Sequence, residues 1–105
     1  MDNFAFYTDK EKKLKELRSN EEKIEIKPGA KIIGPFAFRT PNAKEIILPD
    51  SVETVQRYAF EGCQKLQRVV FGKGIKKIYS RVFHGCYQLN EIKFTGDNVS
   101  NLEFI

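Results

Sequence analysis

The chain of 105 residues has no tryptophan, one methionine, one histidine and two cysteines. A structural zinc site needs about four ligands, so two thiols and His84 are too few for metal chemistry, and no cofactor is expected. No apolar run reaches the ~18–20 residues needed for a membrane helix, which excludes a helical membrane span. The opening MDNFAFYTDKEKK lacks the basic-then-apolar order of a secretion signal. The expected compartment is therefore the cytoplasm, or the surface or exterior if the chain is a trimmed piece. Net charge is +4, too mild to require a nucleic acid or a membrane surface as partner. Paired catalytic carboxylates, a serine elbow and a phosphate-cradling loop are all missing. Gly72-Lys73-Gly74 lacks the further glycine and the helix start that phosphate binding needs.

What is present is repetition. Residues 47 to 92 state one pattern twice, without a gap, at a period of 23. Leu48, Val52, Val55, Phe60, Cys63, Leu66 and Val69 fall on Phe71, Ile75, Ile78, Phe83, Cys86, Leu89 and Ile92. A copy one residue shorter precedes them, through Ile26, Ala30, Ile33, Ala37, Phe38, Ala43 and Ile46. Self-similarity at such a period marks a solenoid whose core runs along the stack. Alternation in Val69-x-Phe71 and its counterparts predicts one short parallel strand per coil, with Val52-x-x-Val55 and Ile75-x-x-Ile78 lining the return. Tyr58 to Gly62 and Arg81 to Gly85 predict tight helical turns closed by glycines of positive φ.

Residues 1–23 are expected to form an N-terminal capping segment with a helix over about 9–19. Thr8-Asp9 supplies a cap, and Lys10 to Ser19 are strong helix formers carrying Leu14 and Leu17. Residues 24–105 then form a solenoid of about three full 23-residue coils and a truncated fourth. Phe94, Val99, Leu102, Phe104 and Ile105 either close that last coil with a strand or leave an end through which the molecule associates with itself as a homodimer.

The string I-x-L-P-x-S-V-x-x-V-x-x-x-A-F-x-G-C-x-x-L-x-x-V, from Ile46 to Val69, resembles the BspA-like (Treponema-type) leucine-rich repeats. Ile33-Gly34-Pro35-Phe36-Ala37-Phe38 resembles the family's I-G-x-x-A-F segment. The resemblance covers about residues 24 to 102, with Val82 in place of alanine and Pro41 in place of cysteine. It implies a right-handed solenoid with strands on the concave side and binding to protein, with surface, adhesin-like and often bacterial relatives. A non-catalytic protein-interaction module is the leading functional expectation. Its alternatives are a purely structural piece of a longer solenoid and a weak nucleic-acid binder using Lys65, Lys73, Lys76 and Lys77.

Stacking turns the linear charge pattern into pairs. Lys73 meets Asp50 and Lys76 meets Glu53, while Arg68 lies between Glu45 and Glu91, with Lys23 preceding Glu45. These pairs neutralise the acid-free stretch between Glu61 and Glu91. Glu45, Ile47, Arg68, Val70, Glu91 and Lys93, read as outward on the strands, form the candidate partner-binding surface. Cys63 and Cys86 share a slot with parallel Cβ bonds, an arrangement that suits buried thiols better than a disulfide. His84 is expected outward, away from the Cys86 thiol, so no Cys–His dyad forms. Asn98-Val99-Ser100 fits a glycosylation acceptor, a short pattern of little weight.

Overall fold

The computed structural model describes residues 4–8, 10, 12–97 and 99–105, so the Asn98 acceptor lies outside the described residues. Among the described residues, eleven short strands run in the order β1 (Phe4–Thr8), β2 (Lys13–Arg18), β3 (Lys23–Glu25), β4 (Ile32–Ile33), β5 (Phe38–Arg39), β6 (Glu45–Ile47), β7 (Thr54–Val55), β8 (Arg68–Phe71), β9 (Lys77–Ile78), β10 (Glu91–Phe94) and β11 (Glu103–Phe104). They form a β-solenoid of two facing sheets. One sheet has the order β10-β8-β6-β3. The other runs β1-β2-β4-β7-β9-β11, with β5 also on β2.

The repeat register is realised strand by strand. Glu91–Phe94 pairs in parallel with Arg68–Phe71, and Glu45–Ile47 pairs with both β3 and β8. The Phe60 and Phe83 rings stack at 5.2 Å, as Phe38 and Phe60 do at 4.7 Å. Offset stacking adds to the area that each ring buries, so the phenylalanine slot fixes coil against coil. The return path carries more order than lining residues alone. Ile33, Val55 and Ile78 form a second parallel ladder.

Two expectations are corrected. No helix occurs among the described residues, and the segment expected as a capping helix is instead the strand β2, antiparallel to β1 (residues 9 and 11 are outside the described set). β2 also pairs in parallel with β4, placing Leu14 beside Ile33 and at full burial. Helix propensity across Lys13–Arg18 is worth tenths of a kcal/mol per residue. Leaving the β4 edge and its core uncovered would cost more. The glycine turns are likewise not helical. They are successive tight turns, with Glu61 N–H donating to Tyr58 C=O at 3.1 Å and Cys63 N–H to Phe60 C=O at 3.1 Å. Their closing glycines do have positive φ, 85° at Gly62 and 83° at Gly85.

Close stacking also explains the Gly72-Lys73-Gly74 turn. A Cβ on Gly74 would lie 2.2 Å from the Asp50 carbonyl oxygen one coil earlier. These glycines serve coil-to-coil approach.

Candidate functional site

Two columns of core residues run along the solenoid, one on each sheet. The first is Leu14, Ile33, Val55, Ile78 and Phe104; the second is Ile24, Ile46, Val69 and Ile92. Every member is buried except the last of each. Val69 is 0% exposed and Ile92, directly over it, is 43% exposed; Ile78 is 4% exposed and Phe104 is 73% exposed. Phe83, Cys86, Leu89, Phe94 and Leu102 are only partly buried, whereas Phe60, Cys63, Leu66 and Phe71 one coil earlier are fully so. Val99 and Ile105 are exposed as well. The last residues form a strand on the return sheet: β11 pairs with β9 and Ile105 N–H donates to Ile78 C=O at 3.0 Å. That strand covers β9 and leaves its own side chains bare.

The strand face is arranged differently. Arg68 is bonded to Glu45 and, through Nε, to Glu91 at 2.8 Å; Lys23 Nζ lies 3.7 Å from Glu45. The Glu45 carboxylate holds the Arg68 guanidinium above its ordinary pKa, with a smaller contribution from Glu91. Lys76 reaches Glu53 at 3.4 Å, as stacking requires. Asp50 instead accepts from the Lys73 backbone N–H at 2.8 Å, leaving that ammonium out of the pair. Ile47 is half-buried and Val70, expected outward, is only 6% exposed. Glu91 and Lys93 are exposed at the outer strand. Lys65 bonds Asn42 at 3.4 Å, and Lys77 is exposed on β9.

A third ladder lies at the turns and was missed by sequence reasoning. Phe36, Tyr58 and Arg81 occupy one slot in successive coils, all with left-handed φ of 56°, 63° and 60°. Phe36 stacks on Tyr58 at 5.4 Å, and Arg81 Nη1 donates to Tyr58 Oη at 3.0 Å. His84 sits edge-on to Tyr58 at 5.7 Å, with Nδ1 2.6 Å from a Glu61 carboxylate oxygen. Non-glycine residues in this region carry strain. The Phe36–Tyr58 stack and the Arg81–Tyr58 hydrogen bond offset part of it. Nothing in the side-chain types marks positive φ, so only the slot spacing could have revealed the ladder.

The thiols are free. Burial raises the Cys63 pKa, and burial, then Cys63 and Glu61, push Cys86 up to about 12. Cys86 donates to the Phe60 C=O at 3.3 Å. A thiol that holds its proton so tightly is a poor nucleophile. No group of three or more His, Cys, Asp or Glu side chains able to hold a metal occurs among the described residues. No helix among them is long and apolar enough to cross a membrane.

Comparison with known proteins agrees with this geometry. No curated protein matches the sequence. Among solved structures, a leucine-rich repeat protein from Bacteroides ovatus ATCC 8483 is similar over 88% of this chain at 27% identity and a TM-score of 0.71. The chain spans 28% of that protein's length. A leucine rich cell surface protein from Faecalibacterium prausnitzii A2-165 aligns over 91% of this chain and 38% of its own at 16% identity, with a TM-score of 0.39. A model of the BspA type leucine-rich repeat region matches residues 3–104 in six copies. With repeats matched from β1 to β11, the chain belongs to the BspA-type leucine-rich repeat family.

Proposed function

We propose that the chain is a non-catalytic protein-interaction module that docks protein through its C-terminal end. The observation that supports this is the pair of core columns, buried along the solenoid and bare at Ile92 and Phe104. Fully burying a side chain of this size contributes about 1.5–3 kcal/mol. Two half-open columns, with Phe94, Val99, Leu102 and Ile105 around them, therefore hold most of the burial still available, to a partner or to a further coil. The strand face offers less. Its ion pairs are already made, exposed pairs of this kind contribute about 0–1 kcal/mol, and Val70 has little area left to cover.

Panning a random-peptide display library against the domain, with an Ile92→Ser/Phe104→Ser variant as counter-selection, tests the reading. Peptides enriched on the wild-type domain should lose at least about tenfold in affinity for the variant, which equals 1.4 kcal/mol. Their affinity should survive Ile47→Ser. Loss on Ile47→Ser alone would move the docking surface to the strand face, and absence of any enrichment would overturn the proposal.

A further inference from the structure

The turns that follow β4, β7 and β9 form one side of the solenoid, which the docking end does not use. This side runs along the stack, so a coil added at either end would lengthen it without covering it. Phe36, Tyr58 and Arg81 make its central column. The Phe36 and Tyr58 rings lie 6° from parallel at 5.4 Å. Each covers a face of the other, so Tyr58 shows solvent mainly its ring edge and hydroxyl. The edge of an aromatic ring is the positive part of its quadrupole. Tyr58 Oη accepts from Arg81 Nη1 at 3.0 Å, which leaves the phenol hydrogen free to donate.

Two guanidiniums flank this column without partners of their own. Arg57 directly precedes Tyr58, and Arg39 lies one coil earlier in the slot of Glu61 and His84. Both are exposed, and neither side chain makes a hydrogen bond or ion pair among the described residues. The carboxylates nearby are already held. Glu16, on the strand that pairs with Phe38–Arg39, bonds Arg18, and Glu61 lies 2.6 Å from His84 Nδ1. The strand face is the opposite case, with Arg68 held between Glu45 and Glu91. The turn side is left with unpaired guanidiniums, a free hydroxyl donor and electropositive ring edge, and each of these favours a carboxylate.

The same geometry selects the class of partner. A single-stranded nucleic acid stacks its bases on aromatic faces. Here a face of each ring is spent on the other, and His84 stands edge-on to Tyr58, so no run of open faces exists along the column. An acidic polypeptide needs no such platform, because carboxylates on separate side chains reach separate cations. We infer that the turn side binds an acidic polypeptide segment, whose carboxylates are taken by Arg39, Arg57 and the Tyr58 hydroxyl.

The test follows a short fluorescein-labelled peptide of alternating Glu and Ser by anisotropy at low salt, beside the same peptide with Gln for Glu and a single-stranded oligothymidine. Arg39→Gln/Arg57→Gln should weaken binding of the Glu peptide about tenfold. Tyr58→Phe keeps the ring stack and should weaken it about threefold, the effect of one hydrogen bond. Lys27→Gln/Lys31→Gln removes the same charge from exposed positions on the opposite turns and should change affinity by less than about twofold. Circular dichroism checks the fold of each variant. Equal losses in the two double variants would reduce the binding to bulk attraction by a chain of net charge +4 and overturn the proposal. Equal binding of the Gln peptide, or no binding of the Glu peptide, would overturn it too. Oligothymidine that binds more tightly than the Glu peptide, and is lost with Arg39 and Arg57, would replace the polypeptide with a nucleic acid. Binding of the Glu peptide should survive Ile92→Ser/Phe104→Ser. Its loss there would assign the peptide to the docking end and remove the turn side as a site.

Discussion

The two ends of this solenoid solve the same problem unequally. At the N-terminal end, Leu14 and Ile24 open the core columns and both are buried, because the β1–β2 hairpin folds over the first coil. Phe4 and Phe6 remain on the outer side of that hairpin, with the Arg18 guanidinium 5.6 Å from the Phe4 ring centre. At the C-terminal end, Ile92 and Phe104 close the same columns and are bare. A solenoid buries each coil only against its neighbours, so an end coil needs a cap or a partner. The first coil is covered by the hairpin, whereas the last described coil leaves Ile92 and Phe104 exposed, open to a partner or to a further coil.

The largest expected difference between the ends is in truncation energies. Leu14→Ala should cost about 2–5 kcal/mol, the range for a buried leucine. Ile92→Ala should cost under about 1 kcal/mol, because much of its side chain is already in water. Urea denaturation of the two variants measures both, and equal costs would show that the last coil is as closed as the first. A smaller effect separates the thiols. Cys86 keeps its proton to about pH 12 in the folded chain, whereas an unfolded thiol ionises near 9.0. The folded state then binds the extra proton, so this contribution to stability is complete below pH 9 and is lost as pH rises toward 12. Thermal melts at pH 8, 10 and 11 should fall less steeply for Cys86→Ala than for the wild type. Identical slopes would show a solvated thiol.

The middle of the molecule was legible in the sequence, and its edges were not. A period of 23 fixes which residues touch, so the stacked phenylalanines, the Glu45–Arg68–Glu91 ladder and the Lys76–Glu53 pair follow from register alone. The period has no purchase before Ile24. There Leu14, Leu17 and their charged neighbours favour a helix in isolation, and only the uncovered β4 edge makes them a strand. The signal available was Phe4-x-Phe6, an alternating aromatic stretch better suited to a strand than to a helix leader. Val70 shows a related limit. Alternation turned it outward, but with Ile47 and Lys93 beside it in the ladder little of it remains exposed. The positive φ values of Phe36, Tyr58 and Arg81 come from turn geometry that residue type does not announce.

Amide hydrogen exchange of the dilute domain, resolved by residue, tests the open end most directly. The Ile92 amide should exchange fast, while those of Glu91 and Thr95 on the same strand, and Leu48 bonded to the Val70 carbonyl at 2.9 Å, should be slow. An Ile92 amide protected as strongly as that of Leu48 would mean that β10 is already covered, contradicting an open docking edge.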